Sequence, residues 1–590
     1  MGAFAPSGLS DAHRSRLARM QRAVLGVRGG RAETSVSTSS SVVAVREHPN
    51  DAVCVTEDGT ARVAWIGRTP EPAEGIDGQM LLRALQRRDD AVFRELCPPF
   101  AAVVQTVGPD ALWLISDPQG LHPLYYCHRD GLLAFCSKLS PLLRSGLIPW
   151  SIDPRAILDL FTYEHVTGNR TLADSVEVLP PGSILRIHGE NAELRTYAEL
   201  PSKPPSDRHA HIVDALHDAL SSSVARAMRG RPRVAITLSG GLDSRALLGC
   251  AIENASDVRT FTFGTPDCRD VLLARKLAKR LGLSHAMVEI DGRYLLRWLD
   301  HGIHATGGMV SCLQFHILAL ADRLASEADL VLDGLGGDAL TGGHLAPAMI
   351  AAWSREQAIE ALYRQRATGW ATPEQREGIF NSDFLSSFDY DPRAAAEKHF
   401  HGLRSRPYWW GCHRFDLIER QRRFVQYGPH QLRPFLDVQT PFYAPPLIAL
   451  MTAARSRDLF NQRAYLRMQV RHFRPLAEIP DSALGVPLSW PASLRFAKRT
   501  AGFLARRLPR RATRPRRFDS PTDYPGWFRN ELRELVEDRL AGGRSAITEF
   551  VQSQAVDRLV REHVRGEADH SLKLGCLLTL DGWIRSLAEG

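Results

Sequence analysis

Hydrophobic and polar residues follow two different patterns along the 590 residues of this chain. Up to about residue 200, short β-rich runs alternate with Asp, Gly and Pro, as in SVVAVREH, ARVAWIG, LLAFCSK and SILRIHG. Runs of this length between turn residues are typical of strands. We therefore expect a β-rich first domain, and the length of the chain predicts at least one further domain.

The second pattern begins after a proline-rich segment, AELPSKPPSDRH, which is typical of a linker and is placed at residues 201–210. Beyond it, HIVDALHDALSSSVARAM has helical apolar spacing, and the strand-like runs VAITL, VRTFTFG and LVLDG alternate with helical segments. This alternation predicts a parallel sheet covered on both faces. Residues 344–430 are mostly helical in pattern and rich in aromatic residues. The predicted fold class is α/β, with an α+β first domain.

The segment Ser-Gly-Gly-Leu-Asp-Ser, residues 239–244, lies where a predicted strand ending at Leu238 meets a helix predicted from Ser244. Glycines bring backbone amides close to an anion, and a helix N-terminus adds partial positive charge. The segment is neither a Walker A loop nor a G-x-G-x-x-G dinucleotide motif. We therefore predict a phosphate-binding loop; the alternative is a tight turn capped by Asp243.

The carboxylate of Asp243 would repel a bound phosphate unless a divalent cation lay between them. Mg²⁺ prefers oxygen ligands and commonly bridges carboxylates to substrate phosphates. Asp243 is therefore a candidate metal ligand.

The motif S-G-G-x-D-S after a strand resembles the pyrophosphate-binding loop of the ATP pyrophosphatases, which split ATP into AMP and pyrophosphate. Three more segments are similar to the asparagine synthetase branch and occur in its order: TFTFGTPDCRDVLLARKLAKRLGLSH, VLDGLGGDALTGG and DVQTPFYAPPLIALM. The resemblance implies a synthetase domain at residues 211–590, with Mg²⁺ held by Asp243 and Asp338. It implies ATP contacts from Leu238, Ser239, Gly240, Gly241, Asp243, Ser244, Phe263, Gly264 and Gly334.

The N-terminal segments SDPQGLHPLYYC, LAFCSKLSPLL and LPPGSILRI resemble the amidotransferase half of the same branch. The resemblance implies an amidohydrolase-like sandwich at residues 1–200. Glutamine-using members expose a cysteine at the second position as the nucleophile, whereas this chain has Gly2. Glycine cannot attack an amide, so we expect a degenerate domain that supports its neighbour by packing; a new binding role is the alternative.

Two further departures concern the synthetase domain. Leu335 stands where asparagine synthetase has a glutamate and β-lactam synthetase a tyrosine, and Ala483 stands where both have a lysine. With S-G-G-L-D-S-R and Gly-Gly-Asp without a following Glu, the chain most resembles lasso-peptide macrolactam synthetases. That resemblance implies adenylation of an Asp or Glu side chain of a leader-free precursor peptide, then attack by the peptide's N-terminal amine. A β-lactam synthetase or another glutamine-independent amide ligase is the alternative.

A base near the adenylate must take the proton of the attacking amine. The resemblance places the Pro-Phe segment, Pro441 and Phe442, at the reacting centre. The candidates are therefore the residues just before it, Asp437, Tyr427 and His430. Each also has an ordinary structural interpretation. The implied partners are the precursor peptide and the leader peptidase and leader-binding protein of the same pathway.

The net charge of +8 could favour a nucleic-acid partner. Much of it is local, because ten of the 23 residues from Arg495 to Arg517 are Lys or Arg. This segment predicts a solvated loop or a docking surface for an acidic partner. An RNA-thiolating pyrophosphatase would carry paired reactive cysteines, which are not seen, so no nucleic acid is expected. A non-enzymatic scaffold is disfavoured because the phosphate-facing residues all remain.

The nine cysteines include no C-x-x-C pair, which argues against a disulfide framework and a structural zinc site. We expect reduced thiols, mostly in the core. No apolar run reaches the length of a membrane span, and the N-terminus lacks the order of a signal peptide. The sequence therefore predicts a cytoplasmic protein without a membrane span.

Overall fold

A computed structural model describes most of the chain: residues 2–4, 10–25, 31–36, 41–46, 52–55, 59–67, 77–106, 111–201, 211–254, 257–403, 407–491, 493–495, 497–498 and 520–588. Most of the predicted linker at 201–210 and of the basic segment at 495–517 lies outside these residues.

The strands of the described part are β1 (Gly2–Phe4), β2 (Arg31–Val36), β3 (Ser41–Arg46), β4 (Ala52–Val55), β5 (Ala61–Gly67), β6 (Phe100–Thr106), β7 (Ala111–Ser116), β8 (Tyr125–Arg129), β9 (Leu132–Cys136), β10 (Glu177–Val178), β11 (Ser183–His188), β12 (Asn191–Thr196), β13 (Val234–Thr237), β14 (Val258–Gly264), β15 (His285–Glu289), β16 (Leu330–Leu332) and β17 (Asp437–Gln439).

The α-helices are α1 (Asp11–Leu25), α2 (Gly78–Arg87), α3 (Asp90–Glu95), α4 (Leu139–Arg144), α5 (Pro154–Tyr163), α6 (Ile212–Met228), α7 (Leu242–Asn254), α8 (Arg269–Leu281), α9 (Arg293–Thr306), α10 (Ala321–Glu327), α11 (Gly337–Leu340), α12 (Pro347–Ala351), α13 (Arg355–Arg366), α14 (Pro373–Glu377), α15 (Ser382–Ser386), α16 (Arg393–Glu397), α17 (Trp409–Phe415), α18 (Tyr427–Leu432), α19 (Pro445–Thr452), α20 (Ser456–Leu459), α21 (Arg463–His472), α22 (Arg474–Ala477), α23 (Tyr524–Trp527), α24 (Arg533–Leu540), α25 (Ser553–Val564) and α26 (Ser571–Ala588). A 3₁₀-helix spans Cys312–Leu320 and a π-helix spans Asp416–Val425.

Two antiparallel sheets form the N-terminal region. Their strand orders are β10-β8-β9-β1-β3-β2 and β12-β11-β7-β6-β5-β4. Between the sheets, Phe4, Leu133 and Phe135 of the first pack against Leu112 and Leu114 of the second. Alternating residues on each strand therefore build a sandwich core, as period-2 patterning requires. Helices α2 and α3 cover the outer face of the second sheet.

A parallel sheet with the order β15-β14-β13-β16-β17 forms the centre of the second region. Val234 and Ile236 of β13 face one core with α6 and α7, whereas Ala235 faces a second core with α9. Both faces are therefore covered, as the alternation of strands and helices predicts. The chain order reverses between β13 and β16, and crevices at such a switch point are where open α/β sheets bind ligands.

The two regions share buried contacts. Arg422 and Arg423 of the π-helix are buried, and their guanidinium groups donate to the backbone carbonyls of Leu179 (3.1 Å) and Arg170 (2.8 Å). One core cluster also runs from Tyr125 of β8 to the C-terminal helix α26. The sandwich is thus packed directly onto the second region.

Most predicted elements occur in the structure, with small changes at their ends. Helix α7 begins at Leu242, two residues before the predicted start at Ser244, so Asp243 lies in its first turn. A carboxylate there is favoured by the dipole of the helix. The eight cysteines whose side chains are described are all buried, as expected for core thiols. Within the described residues, none of the helices is both long enough and apolar enough to cross a membrane.

Candidate active site

The loop at residues 239–244 connects the end of β13 to α7 and is closed by its own hydrogen bonds. The amide of Ser239 donates to Oγ of Ser244 and that of Gly241 to Oγ of Ser239, both over 3.1 Å. The amide of Gly240 donates to Oδ1 of Asp270 on α8 over 3.0 Å. The amides predicted to face a phosphate are thus paired within the protein, because backbone donors away from water need partners. The hydroxyl of Ser244 lies 3.1 Å from Oγ of Ser239 and donates to the carbonyl of Ser239 over 3.4 Å, which leaves the hydroxyl of Ser239 as a donor for an anion.

Gly240 occupies a position that admits no side chain. A Cβ there would lie 2.6 Å from Cδ1 of Leu273 and 2.9 Å from Cβ of Ser482. The buried guanidinium of Arg245 donates to the carbonyls of Gly240 (3.2 Å) and Pro480 (2.9 Å). Arg245 therefore ties the turn that contains Ser482 to the phosphate-facing loop.

Asp243 and Asp338 are brought together from two separate strand ends. The amide of Asp338 donates to Oδ2 of Asp243 over 2.8 Å, and the hydroxyl of Tyr465 on α21 donates to Oδ1 over 3.0 Å. Nε2 of His344 lies 3.2 Å from Oδ2 of Asp338. The two predicted metal-ligating carboxylates thus share one site at the switch point of the sheet.

Glycines between β16 and the first residue of α11 allow the backbone there to lie close to Asp243. A Cβ on Gly337 would lie 2.5 Å from the carboxylate of Asp243, and one on Gly334 would lie 2.9 Å from Cβ of Asp243. Gly336 has φ +91°, and a Cβ there would meet the ring of Tyr443 at 2.5 Å. The glycine-rich segment therefore allows the backbone to approach the Asp243 side chain.

The charges at this site suit a divalent cation. Burial, and then the negative charge of Asp338, raise the pKa of Asp243 to about 8. A cation between the two carboxylates would remove this repulsion. No cluster of three or more His, Cys, Asp or Glu side chains suited to a metal occurs among the described residues. Two carboxylates completed by substrate phosphates are the usual protein contribution to a Mg²⁺ site, so Asp243 and Asp338 fit Mg²⁺.

The predicted adenine-facing residues lie beyond the end of β13. Thr237, the last residue of β13, pairs with Phe261, so Phe263 and Gly264 extend past the start of the loop. The ring of Phe263 is partly buried, with its centroid 5.2 Å from that of His316. Phe263 therefore lies at the same edge of the sheet as Ser239.

Arg420 on the π-helix is a residue that sequence reasoning missed. Burial raises the pKa of Asp338, and the positive charge of Arg420 opposes that rise. Its guanidinium stacks on the ring of Phe424 at 5.5 Å and makes no hydrogen bond or ion pair with any residue that the structure describes. A partly buried cation beside Asp338 is placed to bind a phosphate or carboxylate. No local motif marks it, because packing of the π-helix on α11 brings it there.

Comparison with known proteins is consistent with this geometry. Residues 215–470 and 481–585 match the family described as asparagine synthase, and residues 73–198 match a glutamine amidotransferase domain. The first match covers more than half of the chain. The chain belongs to the asparagine synthase family. It is thus an ATP-dependent amide ligase with an amidotransferase-like N-terminal domain.

Relatives in this family are distant. The asparagine synthetase [glutamine-hydrolyzing] 1 of Bacillus subtilis (strain 168) is 22% identical over 540 residues, which cover 86% of this chain and 80% of the relative. A putative asparagine synthetase [glutamine-hydrolyzing] of Mycobacterium tuberculosis (strain ATCC 25618 / H37Rv) is 24% identical over 558 residues, covering 86% and 79%. The carboxyethyl-arginine beta-lactam-synthase of Streptomyces clavuligerus is 27% identical over 280 residues, covering 46% of this chain and 52% of that protein.

Asp437, one of the three predicted bases, does not lie at the site formed by Asp243 and Asp338. It pairs in register with Leu330, the first residue of β16, and therefore lies at the amino end of the sheet. The phosphate-facing loops follow the carboxyl ends. Its carboxylate forms a 2.7 Å ion pair with Arg231 and accepts a 2.9 Å hydrogen bond from Gln439. Asp437 is placed as a structural residue.

Tyr427 and His430, the other two predicted bases, lie against the N-terminal sandwich. The hydroxyl of Tyr427, which is fully buried, is 3.0 Å from that of Tyr125. The ring of His430 meets that of His122 edge-on at 5.4 Å, and burial lowers the pKa of His430 well below its usual value. Both residues are therefore placed at the contact between the two regions, without a contact to Asp243 or Asp338.

Leu335 and Ala483 mark the two departures from the small-molecule enzymes. Leu335 is buried in an apolar cluster with Leu121 of the N-terminal region and Tyr443. Ala483 is exposed and follows Ser482, whose amide donates to the carbonyl of Gly240 over 3.0 Å. Neither position supplies an ionisable group to the site.

Proposed function

We propose that this enzyme closes a macrolactam on a peptide, as in lasso-peptide formation. An oxygen of a side-chain carboxylate of a leader-free precursor attacks the α-phosphorus of ATP, and the bond to pyrophosphate breaks. The N-terminal amine of the same peptide then attacks the acyl carbon, loses a proton, and displaces AMP. The product is an isopeptide ring. Because both reacting groups belong to one peptide, the reaction gains the advantage of an intramolecular step.

The residues have distinct parts in this proposal. Mg²⁺ bound by Asp243 and Asp338 would supply charge neutralisation at the phosphates. The hydroxyl of Ser239 donates to the pyrophosphate, and Arg420 holds an anionic oxygen of the substrate. Phe263 and Gly264 lie against the adenine. The observation that carries the finer proposal is the apolar burial of Leu335, because it leaves no Tyr or Glu at that position to act on a small substrate.

Glutamine independence is the second part of the proposal. Gly2 lies in β1, an inner strand that pairs with both β3 and β9. The eight cysteines whose side chains the structure describes are buried, and burial raises the pKa of those at positions 127, 250, 268, 312, 412 and 576. A buried neutral thiol is a poor nucleophile. The amine must then come from the substrate, and purified enzyme should release no glutamate from glutamine.

The test uses a leader-free peptide with a free N-terminus and an Asp or Glu several residues in, taken from a precursor encoded beside this gene. It should lose the mass of one water in a reaction that requires ATP and Mg²⁺ and releases pyrophosphate. Acetylation of the N-terminus should stop this loss. Partners implied by the proposal are the leader peptidase and leader-binding protein of the pathway.

β-Lactam formation is the second candidate, and the similarity to the Streptomyces clavuligerus enzyme favours it. The same assay separates the two. Cyclisation of a small β-amino acid, with no reaction of any cognate peptide, would establish β-lactam chemistry and refute the peptide proposal.

A further inference from the structure

A surface groove of about 940 Å³ runs along the outer side of α21. Among the residues that the structure describes, its wall includes four arginines, Arg463, Arg467, Arg471 and Arg495, and no acidic residue. The apolar part of the wall comes from Val213, Phe460, Leu466, Val470, Leu488 and Trp490. The size is at the upper end of ligand-binding clefts.

The positive charge of this groove is only partly compensated. Arg471 pairs with Asp214 over 3.1 Å, and Arg495 pairs with Asp481 over 2.7 Å. Arg463 and Arg467 are exposed and make no hydrogen bond or ion pair with any described residue. Like charges four residues apart on a helix destabilise it, so this arrangement on α21 costs stability that an acidic ligand would restore.

The apolar part of the wall favours a peptide over a simple anion as the occupant of the groove. Trp490 is 43% exposed at the edge of the groove, and large exposed aromatic side chains are typical anchors of protein interfaces. Leu466 and Val470 lie between the arginines on the same side of α21. The wall therefore combines aliphatic contacts with guanidinium groups. An extended peptide with acidic and aliphatic side chains matches it.

The groove does not open onto the reacting carboxylates. The opposite side of α21 carries Tyr465, which donates to Asp243, and Gln469, which donates to the carbonyl of Leu242 over 3.1 Å. A helix with its side chains is about 10 Å thick, so an occupant of the groove is separated from the site by the helix. We propose that this groove docks an acidic, partly apolar peptide segment of a partner protein.

The test measures binding of a fluorescein-labelled peptide of alternating Glu and Leu residues to the full-length enzyme by fluorescence anisotropy. The double variant R463E/R467E should raise the Kd by about 10-fold or more, and W490A should also weaken binding. The matched control is R83E/R87E, which makes the same charge change four residues apart on the exposed side of α2 and should leave the Kd nearly unchanged. ATP-dependent pyrophosphate release by R463E/R467E should equal that of the wild type.

Four results would overturn the proposal: no binding of the peptide to the wild type, an unchanged Kd in R463E/R467E, an equal loss in the control, or tighter binding of single-stranded DNA through the same two arginines. The last result would assign the groove to nucleic acid. Because the readout is binding, the proposal stands or fails separately from the macrolactam reaction.

Discussion

The amide nitrogen of Asp338 donates a 2.8 Å hydrogen bond to the Oδ2 carboxylate oxygen of Asp243. This bond joins two glycine-containing segments that are 95 residues apart and that follow neighbouring parallel strands. It fixes the position of one carboxylate relative to the other. The geometry of the proposed metal site therefore depends on the backbone of α11 as well as on the two side chains.

The first prediction concerns these carboxylates. Asp243→Asn and Asp338→Asn should each lower ATP-dependent pyrophosphate release by at least about 100-fold, because each removes charge that holds the cation at the phosphates. The unfolding temperature should not fall, because each change also removes the repulsion between the two carboxylates. The control is Asp300→Asn, an exposed change on α9 that should leave the rate unaltered. Full activity of Asp243→Asn would refute the site assignment.

The second prediction concerns the close approach at Gly337. Gly337→Ala should lower pyrophosphate release by about 10-fold or more, because its Cβ would lie 2.5 Å from the Asp243 carboxylate and displace it. Gly428→Ala is the control, since a Cβ at that position has nothing within 4 Å. Equal rates of the two variants would show that the contact is not needed for catalysis.

Local sequence patterns predict much of the site because a few neighbouring residues are enough to define the loop and its glycines. The turn from β13 into α7 needs only an apolar run, two glycines and a helix start. Parallel strands then place the segments after β13 and β16 at one edge. The pairing of Asp243 with Asp338, by contrast, is implied by the resemblance to the asparagine synthetase branch and not by these local patterns.

Other residues were misplaced or missed because their positions depend on tertiary packing. Asp437 directly precedes the Pro-Phe segment in sequence, yet the register of β17 sets it at the amino end of the sheet. Tyr465 and Arg420 belong to helices without a motif and reach the site only through packing. Nothing in their local sequence distinguishes them from surface residues.

The third prediction is a pH dependence of stability at Asp333. Burial raises the pKa of Asp333 from 3.8 to about 6. Between these values the folded state binds more protons than the unfolded state, so stability falls as pH rises, and the penalty is complete above pH 6. Asp333→Asn keeps an acceptor for the amide of Leu335 and removes the charge. It should stabilise the enzyme by at most about 3 kcal/mol at pH 8, at 1.36 kcal/mol per pKa unit.

The measurement is the difference in Tm between wild type and Asp333→Asn at pH 8 and at pH 5. The difference should be larger at pH 8, because at pH 5 the folded wild type already carries a proton on Asp333. The control for the change of a carboxyl to an amide is the exposed variant Asp300→Asn, measured at the same two pH values. A difference that grows towards low pH would contradict the assigned direction of the pKa shift.

The fourth prediction concerns Arg420. Its guanidinium has no hydrogen-bonding partner among the described residues, so Arg420→Ala should change Tm little. Pyrophosphate release should fall by about 10- to 100-fold, because in the proposed site this cation binds an anionic oxygen of the substrate. Arg420→Lys should recover only part of the rate, since a lysine lacks the planar fork. Arg414→Ala is the matched control: Arg414 is also partly buried, and its Nε has no partner, but it has no part in the proposed site. If Arg420→Ala keeps the wild-type rate and the wild-type KM for ATP, Arg420 does not contact the substrate, and the anion must be held by the Ser239 hydroxyl and the metal alone.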